Sequence, residues 1–150
     1  MSGDDGVGEA SRSGGAKSAP RSADNPTRHA VAHGRVTMLP ATTAGVAANT
    51  LKKGDVLATA RYAGTQATKQ VASLVANAGT VSLPDVTIRF EVGETWIDIE
   101  ARVDCDERVG VEAHALSAVT VAALTIYDMC KSADRTMMIG SVELLDSSGS

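Results

Sequence analysis

The chain has 150 residues, of which 43% are hydrophobic and only 3% aromatic, so it suits one domain whose core is built from Val, Leu, Ile and Ala, and it has few rings on which bases stack. A formal charge of −4 and a pI near 5.3 provide no basic surface for phosphate backbones or anionic lipid, which excludes nucleic acid and membrane surfaces as partners. No apolar run approaches the roughly 20 residues of a membrane span, and Met1-Ser2-Gly3-Asp4-Asp5-Gly6 lacks the basic start and apolar stretch of a signal peptide, so the expected location is the cytoplasm.

Residues 1–25 are rich in Gly, Ser, Ala, Asp and Lys without apolar periodicity; burial of so few apolar groups does not offset the entropy of ordering, and a mobile tail is expected ahead of a single domain at 26–150. The alternation in Ala30-Val31-Ala32-His33-Gly34-Arg35-Val36-Thr37-Met38 predicts a strand with Ala30, Ala32, Val36 and Met38 on one face, weakened at Gly34. Pro40 opens a short helix to about residue 50, since its missing N–H has no helical partner in a first turn. After Lys52-Lys53-Gly54, Asp55 is the N-cap of a long helix to about residue 76, ended by Asn77-Ala78-Gly79. Residues 81–91 and 95–104 read as two strands joined at Gly93-Glu94, a hairpin expected to supply the centre of a sheet. Gly110 opens a helix over 112–132, and 138–145 form a closing strand. This partial segregation predicts an α+β sandwich, a mainly antiparallel sheet with helices on one face. Cys105 and Cys130 lack CxxC spacing and are expected to be reduced, buried thiols rather than metal ligands.

Near the end of the last helix, Asp128 and Lys131 stand three residues apart and are therefore surface neighbours. A carboxylate beside an amine holds it protonated, whereas burial pushes its pKa down toward the range of a general base; either state serves acid/base chemistry. An ordinary ion pair at a helix end, where Lys also suits the dipole, is the competing reading.

The run Gly110-Val111-Glu112-Ala113-His114-Ala115-Leu116, with Ala122-Ala123-Leu124-Thr125-Ile126-Tyr127-Asp128-Met129-Cys130-Lys131 and Lys53-Gly54-Asp55-Val56-Leu57-Ala58-Thr59-Ala60-Arg61-Tyr62-Ala63-Gly64, resembles the cyclic pyranopterin monophosphate synthases, the MoaC family of molybdenum cofactor biosynthesis. The resemblance covers about residues 28–145 and implies a ferredoxin-like fold, a small-molecule substrate, and a homo-oligomer, dimer or hexamer, with sites at subunit interfaces. It implies catalytic positions at Lys131, the proton donor or acceptor, at Asp128 and at Lys53, which precedes a helix N-terminus where backbone N–H groups favour an anion. Substrate-binding positions fall on Arg28, matching an anion-binding arginine, on Glu112, and on His114, which stands where the family has a second acid. If one continuous helix carries His114 and Asp128, about 21 Å separates them, and a shared pocket then requires two subunits. No metal or other cofactor is expected.

The departures bear on the substrate. The family's Cys-His-Pro loop is Ala78-Gly79-Thr80 here, Leu145-Asp146-Ser147-Ser148-Gly149-Ser150 lacks its glycine-flanked lysine, and a lysine upstream of Arg28 appears as Ala23. The family's substrate is a rearranged guanosine triphosphate whose charges need clustered donors. The reading favoured by these losses is a diverged lyase or cyclase that performs acid/base elimination, such as dehydration, and intramolecular addition on a non-pterin small molecule in natural-product biosynthesis. The alternative is a cyclic pyranopterin monophosphate synthase compensated elsewhere, for instance by His33, His114 or Arg35; a second alternative is a non-catalytic scaffold subunit.

Overall fold

Period-two alternation becomes strand β1, Arg28–Thr37, whose Ala30, Ala32 and Val36 point inward and are fully buried, with Met38 continuing the same face. The structure is a computed structural model and describes residues 27–82, 84–106 and 110–148; the expected tail lies outside the described residues. Helix α1, Pro40–Ala48, begins on its proline as the sequence predicts and stops at Asn49, which adopts left-handed backbone. Helix α2, Val56–Gln70, starts on the Asp55 cap and tightens into a single 3₁₀ turn, Val71–Ser73, so it ends earlier than the Ala-rich sequence suggests. Strand β2 is Asp85–Val92 and β3 is Trp96–Cys105; the ladder starts after Pro84, whose nitrogen has no hydrogen to give. Helix α3, Glu112–Cys130, and strand β4, Met138–Ser147, complete the order β1-α1-α2-β2-β3-α3-β4.

The four strands form one sheet in the order β2-β3-β1-β4 with every neighbouring pair antiparallel, and α2 and α3 pack on the face of the buried alanines and isoleucines. This is the expected α+β sandwich of ferredoxin-like type. One expectation is corrected: the β2–β3 hairpin is not the centre, because β2 lies at an edge and the central strands are β3 and β1. Each of the two long helices carries the chain back across the sheet and skips a strand position, which the local pattern of a hairpin does not encode.

Helix α3 contains an 18-residue window of mean hydropathy 1.3, long and apolar enough to cross a membrane by length and composition alone. In the fold that apolarity has a use: Ala115, Ala118, Val119, Ala122, Ala123 and Ile126 are fully buried, and α3 touches α2 and three of the four strands.

The α1 N-terminus is closed from a distance. Leu39 has no side-chain acceptor for the first turn. The Asp134 carboxylate, in the turn after α3, accepts from the Leu39 N–H at 2.8 Å, the Thr42 hydroxyl at 2.9 Å, and the Thr136 N–H and hydroxyl at 2.8 and 2.6 Å. Asp134 is 2% exposed; burial pushes its pKa up, but the hydrogen bonds from Thr136, Leu39 and Thr42 together outweigh it and bring it to about 2. A native pKa below the ordinary value of 3.8 means that this group stabilises the fold above about pH 4 and that the contribution fades as pH falls toward 2. It amounts to about 2 kcal/mol. Urea midpoints at pH 6 and pH 3 should therefore differ less for Asp134→Asn than for the unaltered protein; equal acid losses in the two would contradict this role.

Candidate active site

Lys53 lies in a turn closed by the Gly54 N–H donating to the Leu51 carbonyl at 3.2 Å. Gly54 has φ of 102°, a region that a side chain disfavours, and this lets the chain reverse directly into α2. Asp55 then accepts the Ala58 N–H at 3.0 Å, so Lys53 is presented at a capped helix N-terminus. At the end of α3, the Lys131 ammonium donates to the Asp128 carboxylate at 2.8 Å, with 53% and 63% of the two side chains exposed. α2 and α3 pack side by side in opposite directions, which brings Lys53 into the electrostatic neighbourhood of Asp128. The three expected catalytic positions thus share one end of the molecule.

Their electrostatics are asymmetric. The hydrogen bond to Asp128 and the charge behind it hold the Lys131 amine above its ordinary pKa, and burial, which would lower it, is the weaker influence. Asp128 is held below the usual carboxylate range by its bond to Lys131, then by that residue's charge and by Lys53. The pair is therefore ionised near neutrality, with Lys131 a cation. Tyr127 and Arg135 also act on the Lys131 charge and were not singled out in the sequence. The signal for Arg135 was its place four residues beyond Lys131, across a turn.

The other three positions lie at the opposite end. Arg28 pairs in register with Cys105, the last residue of β3, and the chain passes from there to Glu112 at the start of α3. Because α3 is one unbroken helix, the 16 residues from Glu112 to Asp128 span about 24 Å. Within one subunit the two groups do not meet. His114, expected as a substrate-binding residue, is instead buried: it is 1% exposed, and a ring N–H donates to the Gly79 backbone, while Nδ1 has no partner among the described residues. Burial lowers its pKa, more than the Gly79 hydrogen bond and the Glu112 charge raise it, so the ring is neutral near pH 7. An imidazole therefore does stand at the 78–80 loop, carried by α3 instead of by the loop.

His33 and Arg35 do not join either group. They lie on the sheet face turned away from the helices, where Arg35 grips Asp98 with two hydrogen bonds of 2.6 and 2.9 Å and stacks 4.4 Å from the Trp96 ring centre. The Arg35 hydrogen bond is the main reason that Asp98 stays well ionised. Arg35 and Asp98 are direct cross-strand partners, a common stabilising pair on an open sheet. A hollow of about 400 Å³ on that side is lined by His33, Arg89, Glu91, Asp98 and Glu100, none of them near Lys131. Among the described residues no three His, Cys, Asp or Glu side chains gather as a metal site, and both cysteines are buried.

A fold of this type, with paired lysines and an aspartate at one end of the core helix, defines a class, and sequence comparison supplies the family. The MoaC family model matches residues 21–150, and the chain belongs to that family. It is 47% identical over 128 residues to a cyclic pyranopterin monophosphate synthase of Roseiflexus sp. (strain RS-1), covering 84% of this chain and 81% of that one. A protein of the same name from Magnetococcus marinus is 47% identical over 124 residues, covering 81% and 76%. A molybdenum cofactor biosynthesis bifunctional protein of Chlorobaculum tepidum is 49% identical over 120 residues, which is 79% of this chain and 38% of that longer protein.

These relatives overturn the expectation of a non-pterin lyase in natural-product biosynthesis. Identity of 47% along four fifths of a synthase outweighs a few altered donors.

Proposed function

We propose that this chain is a cyclic pyranopterin monophosphate synthase of molybdenum cofactor biosynthesis, a lyase that converts the cyclised, rearranged guanosine triphosphate. The observation that carries the reading is the convergence of Lys53, Asp128 and Lys131, with the Asp128–Lys131 contact at 2.8 Å, in a chain so close to proteins of that name. Passing from a triphosphate to a cyclic monophosphate joins a substrate hydroxyl oxygen to the inner phosphorus, the hydroxyl proton passing to solvent, and breaks the bond from that phosphorus to the outer two phosphates, releasing pyrophosphate. The leaving oxygen gathers negative charge as that bond breaks. Lys131, kept protonated by Asp128, neutralises it and donates a proton. Lys53 and the α2 N-terminus stabilise the same developing charge without a proton transfer.

Arg28 and Glu112 complete this site from a second copy of the chain, while His114, buried in its own subunit, acts only through the segment it packs against. About 24 Å of helix separates the two groups in one subunit, and the exposed Asp128–Lys131 pair lacks the walls of a pocket. The homo-oligomer is thereby part of the site. Co-expressing subunits that carry Lys131→Ala with subunits that carry Glu112→Gln, and assaying the pterin product, tests both statements. Each variant alone should be inactive. Random pairing in a dimer leaves one intact site in half the assemblies, so the mixture should recover about a quarter of full activity. An active unaltered protein whose mixtures stay inactive would refute the shared site.

A further inference from the structure

Lys53 and Lys131 reach their end of the molecule on separate segments, and one buried carboxylate joins those segments. Lys131 is the C-cap of α3, and the Ala133 and Asp134 N–H groups donate to the Cys130 carbonyl at 2.9 and 3.1 Å, so the turn beyond Lys131 closes on the residue before it. From that turn the Asp134 side chain accepts the Leu39 N–H at 2.8 Å and the Thr42 hydroxyl at 2.9 Å, both at the start of α1. Helix α1 then leads to Lys53. At its end the Thr50 N–H donates to the Gly45 carbonyl at 3.0 Å, and Leu51 packs on Gly45, where a Cβ would stand 3.0 Å from the Leu51 Cδ2. The Leu51 carbonyl accepts the Gly54 N–H at 3.2 Å and closes the turn that carries Lys53. An unbroken series of contacts therefore runs from the end of α3 through Asp134 and α1 to Lys53. On its other side α1 is held separately, by the Thr43 hydroxyl donating to the Glu94 carbonyl at 2.6 Å.

We propose that Asp134 is a positioning residue, which through Thr42 and α1 holds the Lys53 turn in register with Lys131. The two lysines act on one developing charge, and such donors help only where they are already in place; a displacement of about 1 Å can cost about 10²-fold in rate. Both Thr42 and Asp134 are buried, so no water competes freely for their hydrogen bond. Because Thr43 still anchors α1, loss of the Thr42 hydroxyl shifts the helix without releasing it. This role rests on the functional reading above and goes beyond it by naming what aligns the two cations.

Thr42→Val keeps the shape and removes the donor, and Thr42→Ser restores it. With the cyclised triphosphate, well below the melting temperature, Thr42→Val should lower kcat roughly tenfold and leave KM within about twofold, while Thr42→Ser stays close to the unaltered protein. Ile97→Val, a buried change in central strand β3, lowers stability without touching this series of contacts and should keep full kcat. Unchanged kcat in Thr42→Val overturns the assignment, as does an equal loss in Ile97→Val or a Thr42→Ser protein as slow as Thr42→Val. Amide hydrogen exchange reads the same connection apart from turnover: in Thr42→Val the Gly54 N–H should exchange roughly tenfold faster while the β3 amides keep their protection. Gly54 exchange that does not respond to Thr42→Val refutes the link to Lys53. Faster Gly54 exchange in a protein without turnover would uphold the link and reject the synthase reading.

Discussion

Lys131→Ala is expected to lower turnover by about 10²- to 10⁴-fold, the usual contribution of a positioned proton donor, while melting temperature and oligomeric state stay unchanged. The fold tolerates the change because the side chain is more than half exposed at a helix end and its removal leaves no cavity. Lys52→Ala, an exposed lysine beside Lys53, is the control and should retain most activity. Asp128→Asn keeps the shape and removes the charge. Since Asp128 holds the Lys131 pKa up, its loss lets that pKa fall, and the alkaline limb of the pH–rate profile should move to lower pH. Lys131→Ala and Asp128→Asn proteins that turn over like the unaltered one would reduce the pair to an ordinary surface ion pair.

Gly64→Val should be the most damaging single change to stability. In a helix interior glycine costs about 1 kcal/mol relative to alanine, so its presence within α2 needs a reason. A Cβ there would stand 2.7 Å from the Ile88 Cδ1 and 2.8 Å from the Ala118 carbonyl oxygen. The isoleucine tip can rotate away, but the carbonyl belongs to the backbone of α3. The missing side chain is what allows α2 and α3 to approach closely over β2. Overpacking at such a contact costs about 3 kcal/mol, which for a domain of this size lowers the melting temperature by roughly 10 °C. Ala58→Val, on the exposed side of the same helix, controls for the β-branched side chain. A Gly64→Val protein that melts within a degree or two of the unaltered one would show that the helices separate freely.

Local features were readable in the sequence because they depend on neighbours in the chain. The β1 alternation, the Asp55 cap, the Pro40 start and the i, i+3 spacing of Asp128 and Lys131 all emerge as expected. What escaped depends on residues far apart. Asp134 is an unremarked turn aspartate until Thr42 and Leu39, 92 and 95 residues earlier, are folded onto it. His114 reads as a substrate-binding position at a helix start, and only the packing of α3 against the 78–80 loop buries it at Gly79. The split between the two groups of site residues was legible once α3 was taken as continuous, since helix rise alone sets the distance.

The most direct measurement is to give purified protein the cyclised guanosine triphosphate intermediate and quantify products by chromatography and a pyrophosphate assay. A synthase yields cyclic pyranopterin monophosphate and pyrophosphate in equal amounts, and Lys131→Ala yields neither above background. Folded, oligomeric protein that leaves the intermediate unchanged would contradict the proposed activity.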